Sequence, residues 1–346
     1  MLTDLTAQQL GGGINLIDVG ASGELAGKWK PVERLLNLFA FEPNAEECER
    51  LRRSANNFHS ATYLPYAVSD ADGEAMLYMT KSLYCYSLLR PNLDWLSRFS
   101  FGELFELTGE QQVRTYRLDA VPELAGVDAD VIKTDSQGLD MAILAHSGPM
   151  LDDAFLVETE PGFGENYLGE NTYSQVDAFM RSRGFLLFDL KLFRVPRRNE
   201  FAAAPTGKEQ LMWCEATWLK DYVELERRGR PRPLSREKAL RALLLCGLQG
   251  CVDFGYELTQ LFRRKGLLSG GELAALRTRE GWSLNLDAGG SGGALTDGGR
   301  GIAAGALNYG LRLFPRRLRQ VIAAAAREAA TQPHLVKSIY VGRRGD

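Results

Sequence analysis

The feature that most constrains the fold is the stretch from Asn15 to Gly23, where a short apolar run ends in Asp18-Val19 and breaks into a loop of small residues. Glycine at positions 20 and 23 permits positive φ angles and a close approach of a ligand to the backbone. A buried parallel strand that turns sharply toward a helix has this pattern, and such a turn can leave N–H groups free to face a ligand. Taken alone, the turn could equally close any strand-to-helix connection.

Apolar runs typical of strands alternate with helical patterns through the first two thirds of the chain, which predicts βαβ units and a mostly parallel sheet. The predicted strands cover 14–19, 38–41, 61–68, 128–134, 154–157, 185–190 and 211–217. A helix is predicted over Ala45–Ser54, with Asn44 as its N-cap. Many of these strands end in an acid or a Gly-rich turn, and ligands of open α/β sheets bind beyond the carboxyl ends of the strands.

Glu42 follows the second predicted strand, a position at which an acid can bind ribose hydroxyls. The loop after the first strand lacks the third glycine of a dinucleotide fingerprint, and no pyrophosphate site is evident. A ligand with one ribose and no phosphate therefore fits better than a dinucleotide. S-adenosylmethionine is such a ligand.

Four ordered segments resemble the motifs of FkbM-type S-adenosylmethionine-dependent methyltransferases. They are Asp18–Gly23, Phe41–Asn44, Ala67–Ala75 and Ile132–Asp140. The resemblance covers residues 14–190. It implies the Rossmann-like α/β fold of class I methyltransferases, a mostly parallel seven-stranded sheet with an antiparallel last strand and helices on both faces. It also implies methyl transfer, most often to a hydroxyl of a sugar or a natural product.

The fourth segment departs from the typical family pattern Lys-x-Asp-x-Glu-Gly-x-Glu at two positions. Gln137 replaces the first Glu and Asp140 replaces the second. The first change removes a charge, so no acid–base role is assigned to position 137. It also leaves open a cofactor-binding subunit that does not catalyse.

The resemblance implies which residues bind the cofactor. Asp18 would bind its amino group, Glu42 both ribose hydroxyls, and Asp70 or Ser69 the adenine amino group. The full predicted cofactor set is Asp18, Gly20, Ala21, Ser22, Gly23, Glu42, Pro43, Ser69 and Asp70.

Four ionisable side chains are the candidates for catalysis. Lys133 and Asp135 are two residues apart at the end of one predicted strand, and Glu158 and Glu160 have the same spacing after the next. Residues two apart on a strand share a face, so the four could converge. Neighbouring carboxylates raise each other's pKa, and a lysine opposes that shift. We expect Asp135 to be the base and both glutamates to orient substrate hydroxyls; alternatively, Lys133 only pairs with a neighbouring acid. No metal is expected.

Five cysteines without a Cys-x-x-Cys pair and only three histidines argue against a zinc site and favour a reduced, cytosolic setting. No secretory signal peptide is evident. The longest apolar stretch, around 243–252, is too short to span a bilayer. A cytoplasmic protein is expected, with peripheral contact to the inner face of the membrane as an alternative.

Charge divides the chain. Residues 1–222 carry a net charge of −13 and residues 223–346 a net charge of +10. We predict a methyltransferase domain over 1–222 and a basic helical C-terminal extension over 223–346, with helical patterns over 236–262 and 271–279, a Gly-rich connector near 288–305 and a last helix from Pro315 to about Ala330.

Three partners are possible for this extension: the acidic domain or a second subunit, a partner enzyme of glycan assembly, or an anionic membrane surface. Nucleic acid is not expected, because the aromatic and basic residues lie in different domains.

The insert over 80–116 is rich in aromatic residues, namely Tyr84, Tyr86, Trp95, Phe99, Phe101 and Phe105. It could form a lid with flat rings for a sugar, or a satellite core. The glycines of 161–167 make that loop a second candidate lid. The sequence as a whole predicts an O-methyltransferase that acts on a carbohydrate or glycoconjugate hydroxyl. A lipid or a secondary metabolite is the alternative acceptor.

Overall fold

The computed structural model describes residues 2–23, 25–54, 56–199, 208–277 and 282. The strands in this part of the chain are β1 (Ile14–Val19), β2 (Leu36–Phe41), β3 (Ser60–Leu64), β4 (Ala67–Ser69), β5 (Gly73–Thr80), β6 (Leu107–Arg117), β7 (Val131–Thr134), β8 (Leu156–Thr159), β9 (Phe185–Val195) and β10 (Gln210–Lys220).

The α-helices are α1 (Ala45–Arg53), α2 (Leu93–Leu96), α3 (Asp140–Ala145), α4 (Pro149–Asp153), α5 (Tyr173–Ser182), α6 (Tyr222–Arg227), α7 (Arg236–Gln249), α8 (Val252–Arg264) and α9 (Gly270–Ala275). Short 3-10 helices cover Leu2–Asp4, Gly27–Leu35, Leu83–Cys85, Gly102–Phe105, Leu118–Ala120 and Pro122–Leu124. None of the helices in the described ranges is long and apolar enough to cross a bilayer.

Seven strands form one sheet in the order β3-β2-β1-β7-β8-β10-β9. Neighbours from β3 to β8 run parallel, whereas β10 is antiparallel to both β8 and β9. The predicted mostly parallel seven-stranded sheet with an antiparallel last strand is therefore confirmed. The loop after β1 and the chain after β7 leave the sheet at the same edge, because β1 and β7 are parallel neighbours.

The predicted strand over 61–68 is wrong in its second half. β3 ends at Leu64, directly before Pro65, which has no N–H for the ladder. The chain then leaves the large sheet, and β4 pairs with β6 in a separate three-stranded sheet of order β4-β6-β5. Ser69 and Asp70 thus follow a strand of the small sheet.

Side chains alternate between the two faces of the large sheet along each strand. Apolar side chains on both faces pack against helices. One face is formed by residues such as Leu16 and Val131, which share a core with α7 and α8. The other contains Ile17 and Ile132, which share a core with α3 and α5. This confirms the predicted arrangement of helices on both faces.

The first compact unit of the chain spans Met1–Gly292 and includes α7 and α8. The helical pattern predicted over 236–262 is interrupted at Gly250, whose φ of +74° ends α7 in the left-handed conformation. The Gly-rich connector and the helix from Pro315 lie outside the described residues. The division of the chain at 222/223 stays a prediction, and α7 and α8 lie after it.

The aromatic insert is packed largely as a satellite core. Phe99, Phe101 and Phe105 are buried, and Phe101 stacks on Trp213 of β10 with 5.8 Å between ring centroids. Phe193 of β9 stacks on the same indole at 5.1 Å. The faces of these rings are therefore occupied by protein.

Candidate active site

The loop after β1 is closed by β2 and α1. Gly20 and Gly23 have φ angles of +75° and +87°. The N–H groups of Gly20 and Ala21 both donate to the carbonyl of Phe41, over 3.0 and 2.9 Å. The N–H of Gly23 donates to Oε1 of Glu47 over 2.9 Å. The expectation that these N–H groups are free to face a ligand is wrong, because the loop uses them to hold itself against the neighbouring elements.

Glu47 is a site residue that the sequence reasoning missed. It is buried, and Arg50 donates to its carboxylate from Nε over 2.6 Å and from Nη2 over 2.7 Å. An acid in the first turn of a helix is expected from the helix dipole alone. That signal does not distinguish Glu47 from its exposed neighbour Glu46. Only the fold shows that Glu47 fixes the glycine loop.

Two polar side chains of the predicted cofactor set are buried beside this loop. Oγ of Ser22 has no hydrogen-bond partner among the described residues. Such an atom costs about 1–3 kcal/mol when it is left unsatisfied, and a polar ligand atom at the loop would satisfy it. Glu42 follows β2, and its Oε1 accepts the N–H of Asn44 over 2.8 Å. Pro43 between them is half-buried.

Tyr86 brings the aromatic insert within electrostatic range of Glu42. Burial raises the pKa of the Tyr86 phenol, and the carboxylates of Glu42 and Glu46 raise it further. The phenol therefore stays protonated and can donate a hydrogen bond near the buried carboxylate. Tyr86 thus links the insert electrostatically to Glu42.

Ser69 and Asp70 lie in the turn after β4 of the small sheet. The Ser69 hydroxyl lies 3.1 Å from the N–H of Ala71, which donates to it, and 3.2 Å from the Ala71 carbonyl. The side chain of Asp70 is exposed. The adenine contact predicted for these two residues stays a prediction.

Asp18, Lys133 and Glu158 form a row across β1, β7 and β8. Asp18 lies opposite Lys133 and Lys133 opposite Glu158 in the strand register. Nζ of Lys133 lies 2.8 Å from Oδ1 of Asp18. Glu158 pairs with Lys28 and accepts a hydrogen bond over 3.2 Å from Nε2 of Gln249, at the end of α7. With Lys28 included, two acids and two cations lie just inside the carboxyl edge of the sheet.

Asp135 lies at the end of β7, beside the start of the glycine loop. Its N–H donates to the carbonyl of Val19 over 2.9 Å. Its Oδ1 accepts a hydrogen bond of 2.7 Å from Nε2 of Gln137, and Oε1 of Gln137 in turn lies 2.8 Å from the hydroxyl of Tyr167. The predicted base is therefore held by an amide, which the sequence reasoning had set aside.

Further carboxyl groups surround this network. Burial raises the pKa of Asp140 to about 6 and that of Glu170 to about 8. Glu160 lies near Cys214, where its carboxylate adds to the effect of burial in raising the pKa of the thiol. The four predicted catalytic side chains thus have different partners: Lys133 and Glu158 belong to the row, Asp135 to the amide network, and Glu160 lies near β10. No group of His, Cys, Asp or Glu within the described ranges is arranged to hold a metal ion.

The sheet order, the antiparallel β10 and the acids at the carboxyl edge define a class I methyltransferase fold. Residues 25–187 match the family model of the methyltransferase FkbM domain. The match begins just after Gly23, so the glycine loop precedes it. The family resemblance stated from the sequence motifs is confirmed.

Three solved structures are similar in part. They are an antibiotic-related methyltransferase (12% identity, 62% of this chain and 94% of that one, TM-score 0.28), a candidate RNA methyltransferase from Pyrococcus horikoshii (10%, 63% and 81%, 0.26) and a candidate tRNA (m1A22) methyltransferase from Streptococcus pneumoniae (11%, 77% and 87%, 0.27). Likenesses this distant say nothing about the acceptor. No curated protein matches the chain.

Proposed function

We propose that this methyltransferase uses S-adenosylmethionine and methylates a hydroxyl of a carbohydrate or glycoconjugate. The observation that carries the proposal is the place of Asp135. Its carboxylate lies at the end of β7, and its backbone bonds to Val19, the last residue before the glycine loop. A donor held by that loop and an acceptor near Asp135 would therefore be neighbours, and such proximity is a main source of rate enhancement.

The residues beside the loop fit the cofactor. The unsatisfied Oγ of Ser22 would bond a polar atom of its amino-acid part, and the buried carboxylate of Glu42 would accept from the two ribose hydroxyls. Asp18 is already paired with Lys133, so it would reach the amino group while keeping this partner. When bound, S-adenosylmethionine supplies a methyl group on a positively charged sulfur, which keeps the bonding electron pair as the acceptor oxygen takes the methyl.

The acceptor hydroxyl must lose its proton as the carbon–oxygen bond forms. Asp135 would take up that proton, and general bases of this kind contribute about 10²–10⁴-fold in rate. Glu160, near the end of the neighbouring strand β8, would bond a further hydroxyl of the acceptor. Glu158 is engaged by Lys28 and Gln249, so its part is to support the row of charges below the site.

The test is a methyl-transfer screen of the full chain with labelled donor against nucleotide sugars, glycans and glycolipids. The proposal expects an alkali-stable methyl ether with one of these classes. Asp135→Asn should keep donor affinity within about twofold and lower transfer by about 10²-fold or more. Asp94→Asn, at an exposed position on α2, is the matched control.

Three results would contradict parts of the proposal. Full activity of Asp135→Asn would remove the base assignment. Transfer only to lipid or secondary-metabolite hydroxyls would replace the acceptor class. Donor binding without any transfer would favour a cofactor-binding subunit.

The expected setting is the cytoplasm. The basic region 223–346, with a net charge of +10, is proposed to contact a partner enzyme or an anionic membrane. Co-sedimentation with vesicles that contain anionic lipid, against vesicles of neutral lipid alone, tests the second of these. Binding to anionic vesicles only, lost at high salt, would support it; equal binding to both would contradict it.

A further inference from the structure

Gln137 is the only residue other than glycine with a positive φ in the described part of the chain, at +55°. The left-handed conformation costs a residue with a side chain about 1–2 kcal/mol. Such a conformation persists where the surroundings require it, and it is often found at functional sites. The position of Gln137, two residues after the proposed base, makes its contacts informative.

Three hydrogen bonds hold Gln137. Its Nε2 donates to Oδ1 of Asp135 over 2.7 Å, and its Oε1 accepts from the hydroxyl of Tyr167 over 2.8 Å. Its carbonyl oxygen accepts from Oγ of Ser87 over 2.8 Å. An amide side chain donates and accepts at once, whereas an ionised carboxylate can only accept. A glutamine therefore satisfies both neighbours, and an ionised glutamate would not.

These bonds join two segments to one residue. Tyr167 belongs to the loop that follows β8, and Ser87 belongs to the insert between β5 and β6. The Tyr167 hydroxyl also lies 3.0 Å from the carbonyl of Cys85 in the insert, so its single proton is shared between two acceptors. Both segments that the sequence marks as candidate lids thus meet Asp135 through Gln137.

We propose that Gln137 is the positioning residue of this enzyme, which orients the Asp135 carboxylate and ties it to both loops that border the site. This inference rests on the proposed function of Asp135 as the base. It assigns a role to the position at which the chain departs from the family pattern. The neutral amide keeps one carboxylate, rather than two, at the reacting hydroxyl.

The ionisable groups near Asp135 determine the effect of a change at position 137. Cys85 of the insert, Tyr167 of the loop and Asp140 of α3 are within electrostatic range of it, and burial raises the pKa of all three, to about 12 for Cys85. Cys85 and Tyr167 are therefore neutral near pH 7. Glutamate at position 137 would put a second carboxylate next to Asp135, and carboxylates in contact share one proton.

The experiment compares Gln137→Glu with Gln111→Glu, which adds the same charge at an exposed position of β6. The pH profile of kcat is measured at saturating donor, together with donor affinity and the midpoint of thermal unfolding as a function of pH. In Gln137→Glu, the acid limb of the kcat profile should move up by about one pH unit or more. Donor affinity should stay within about twofold, because the cofactor residues are unchanged.

The midpoint of thermal unfolding tests the contact between positions 135 and 137 without an activity measurement. The shared proton of Gln137→Glu is held in the folded state, so its midpoint should fall more steeply than that of Gln111→Glu as the pH rises from about 5 to 7. In an Asp135→Asn background the same change should add no such slope, because only one of the two carboxylates is left. If the wild type neither binds donor nor transfers methyl, the proposed function is wrong. The pH dependence of the unfolding midpoint still shows whether the side chains at positions 135 and 137 are in contact.

Gln137→Met serves if the charged variant does not fold. It removes both side-chain bonds while keeping the length of the side chain, and kcat should fall by about tenfold or more with donor affinity kept. The inference is overturned if Gln137→Glu follows Gln111→Glu in both pH profiles, or if Gln137→Met retains wild-type kcat.

Discussion

Charged side chains are buried at both the amino edge and the carboxyl edge of the large sheet, where its strands begin and end. The two edges differ in the partners of these side chains. At the amino edge, Asp128 and Asp130 precede β7, and Lys238 and Arg241 of α7 bind both of them. Nζ of Lys238 lies 3.0 Å from Asp130, and Nε of Arg241 lies 2.9 Å from it. Each acid there has two cations, so this edge fastens α7 to the sheet.

At the carboxyl edge, acids outnumber cations around Asp135. Its neighbours Asp140, Gln137 and Tyr167 bring an acid, an amide and a phenol, and Glu170 adds a further carboxyl group beside Tyr167. Burial raises carboxyl pKa values at both edges, and at the amino edge Lys238 and Arg241 oppose the rise that burial causes in the pKa of Asp130. The paired edge therefore stabilises the fold, whereas the acid-rich edge fits the proton transfer that we propose for Asp135.

The largest effect is expected at the amino edge. Asp130→Asn should lower the free energy of unfolding by about 3 kcal/mol or more, because two buried cations lose their buried partner. Asp128 binds the same two cations but its side chain is 47% exposed. Asp128→Asn should therefore cost only about 1 kcal/mol. Urea unfolding measures both, and equal losses would contradict the idea that burial makes this edge structural.

A pH-dependent effect is expected at Glu170, whose pKa burial raises to about 8. The folded state holds a proton that the unfolded chain loses near pH 4.5. The free energy of unfolding should thus fall as the pH rises to about 8, by up to about 1.4 kcal/mol per pH unit. Glu170→Gln should lose this contribution, so its slope should differ from that of the wild type most clearly between about pH 6 and 8, above the pKa of Asp140. Glu165→Gln, an exposed change in the same loop, should keep the wild-type slope. Thermal unfolding across this pH range decides, and identical slopes in all three proteins would refute the expectation.

The smallest effect concerns the glycine loop. Glu47→Gln should weaken the binding of S-adenosylmethionine by about tenfold, because the loop loses a charge-assisted bond of about 1.5 kcal/mol at Gly23. Glu46→Gln is the control, since Glu46 is exposed in the same helical turn. Calorimetric titration measures both affinities. Equal affinities of the two variants for S-adenosylmethionine would show that Glu47 does not hold the loop in its binding conformation.

Much of the fold was readable from the sequence because it depends on local patterns. The bounds of β1 agree with the apolar run from Ile14 to Val19. Asn44 caps α1 as its side chain predicts, accepting the N–H of Glu47 over 3.0 Å. The mostly parallel seven-stranded sheet with an antiparallel last strand followed from motifs that resemble a family, and it is confirmed.

What the sequence did not predict depends on contacts between distant residues. The bond from Gly23 to Glu47 joins two elements, and Lys238 binds Asp128 from 110 residues away. From the sequence, the only effect assigned to Gln137 was the loss of a negative charge. Its role depends on hydrogen bonds to Asp135 and to Tyr167, which lies 30 residues along the chain. No spacing rule marks such partners.

We propose that S-adenosylmethionine binds around Glu42, at the carboxyl edge of the sheet. The most direct test is a calorimetric titration of the full chain with this cofactor, for the wild type and for Glu42→Gln, with Glu46→Gln as control. We predict one molecule bound per chain and a loss of about 100-fold in affinity for Glu42→Gln alone, since two charge-assisted bonds to ribose are weakened. No binding by the wild type, or equal binding by all three proteins, would contradict the claim.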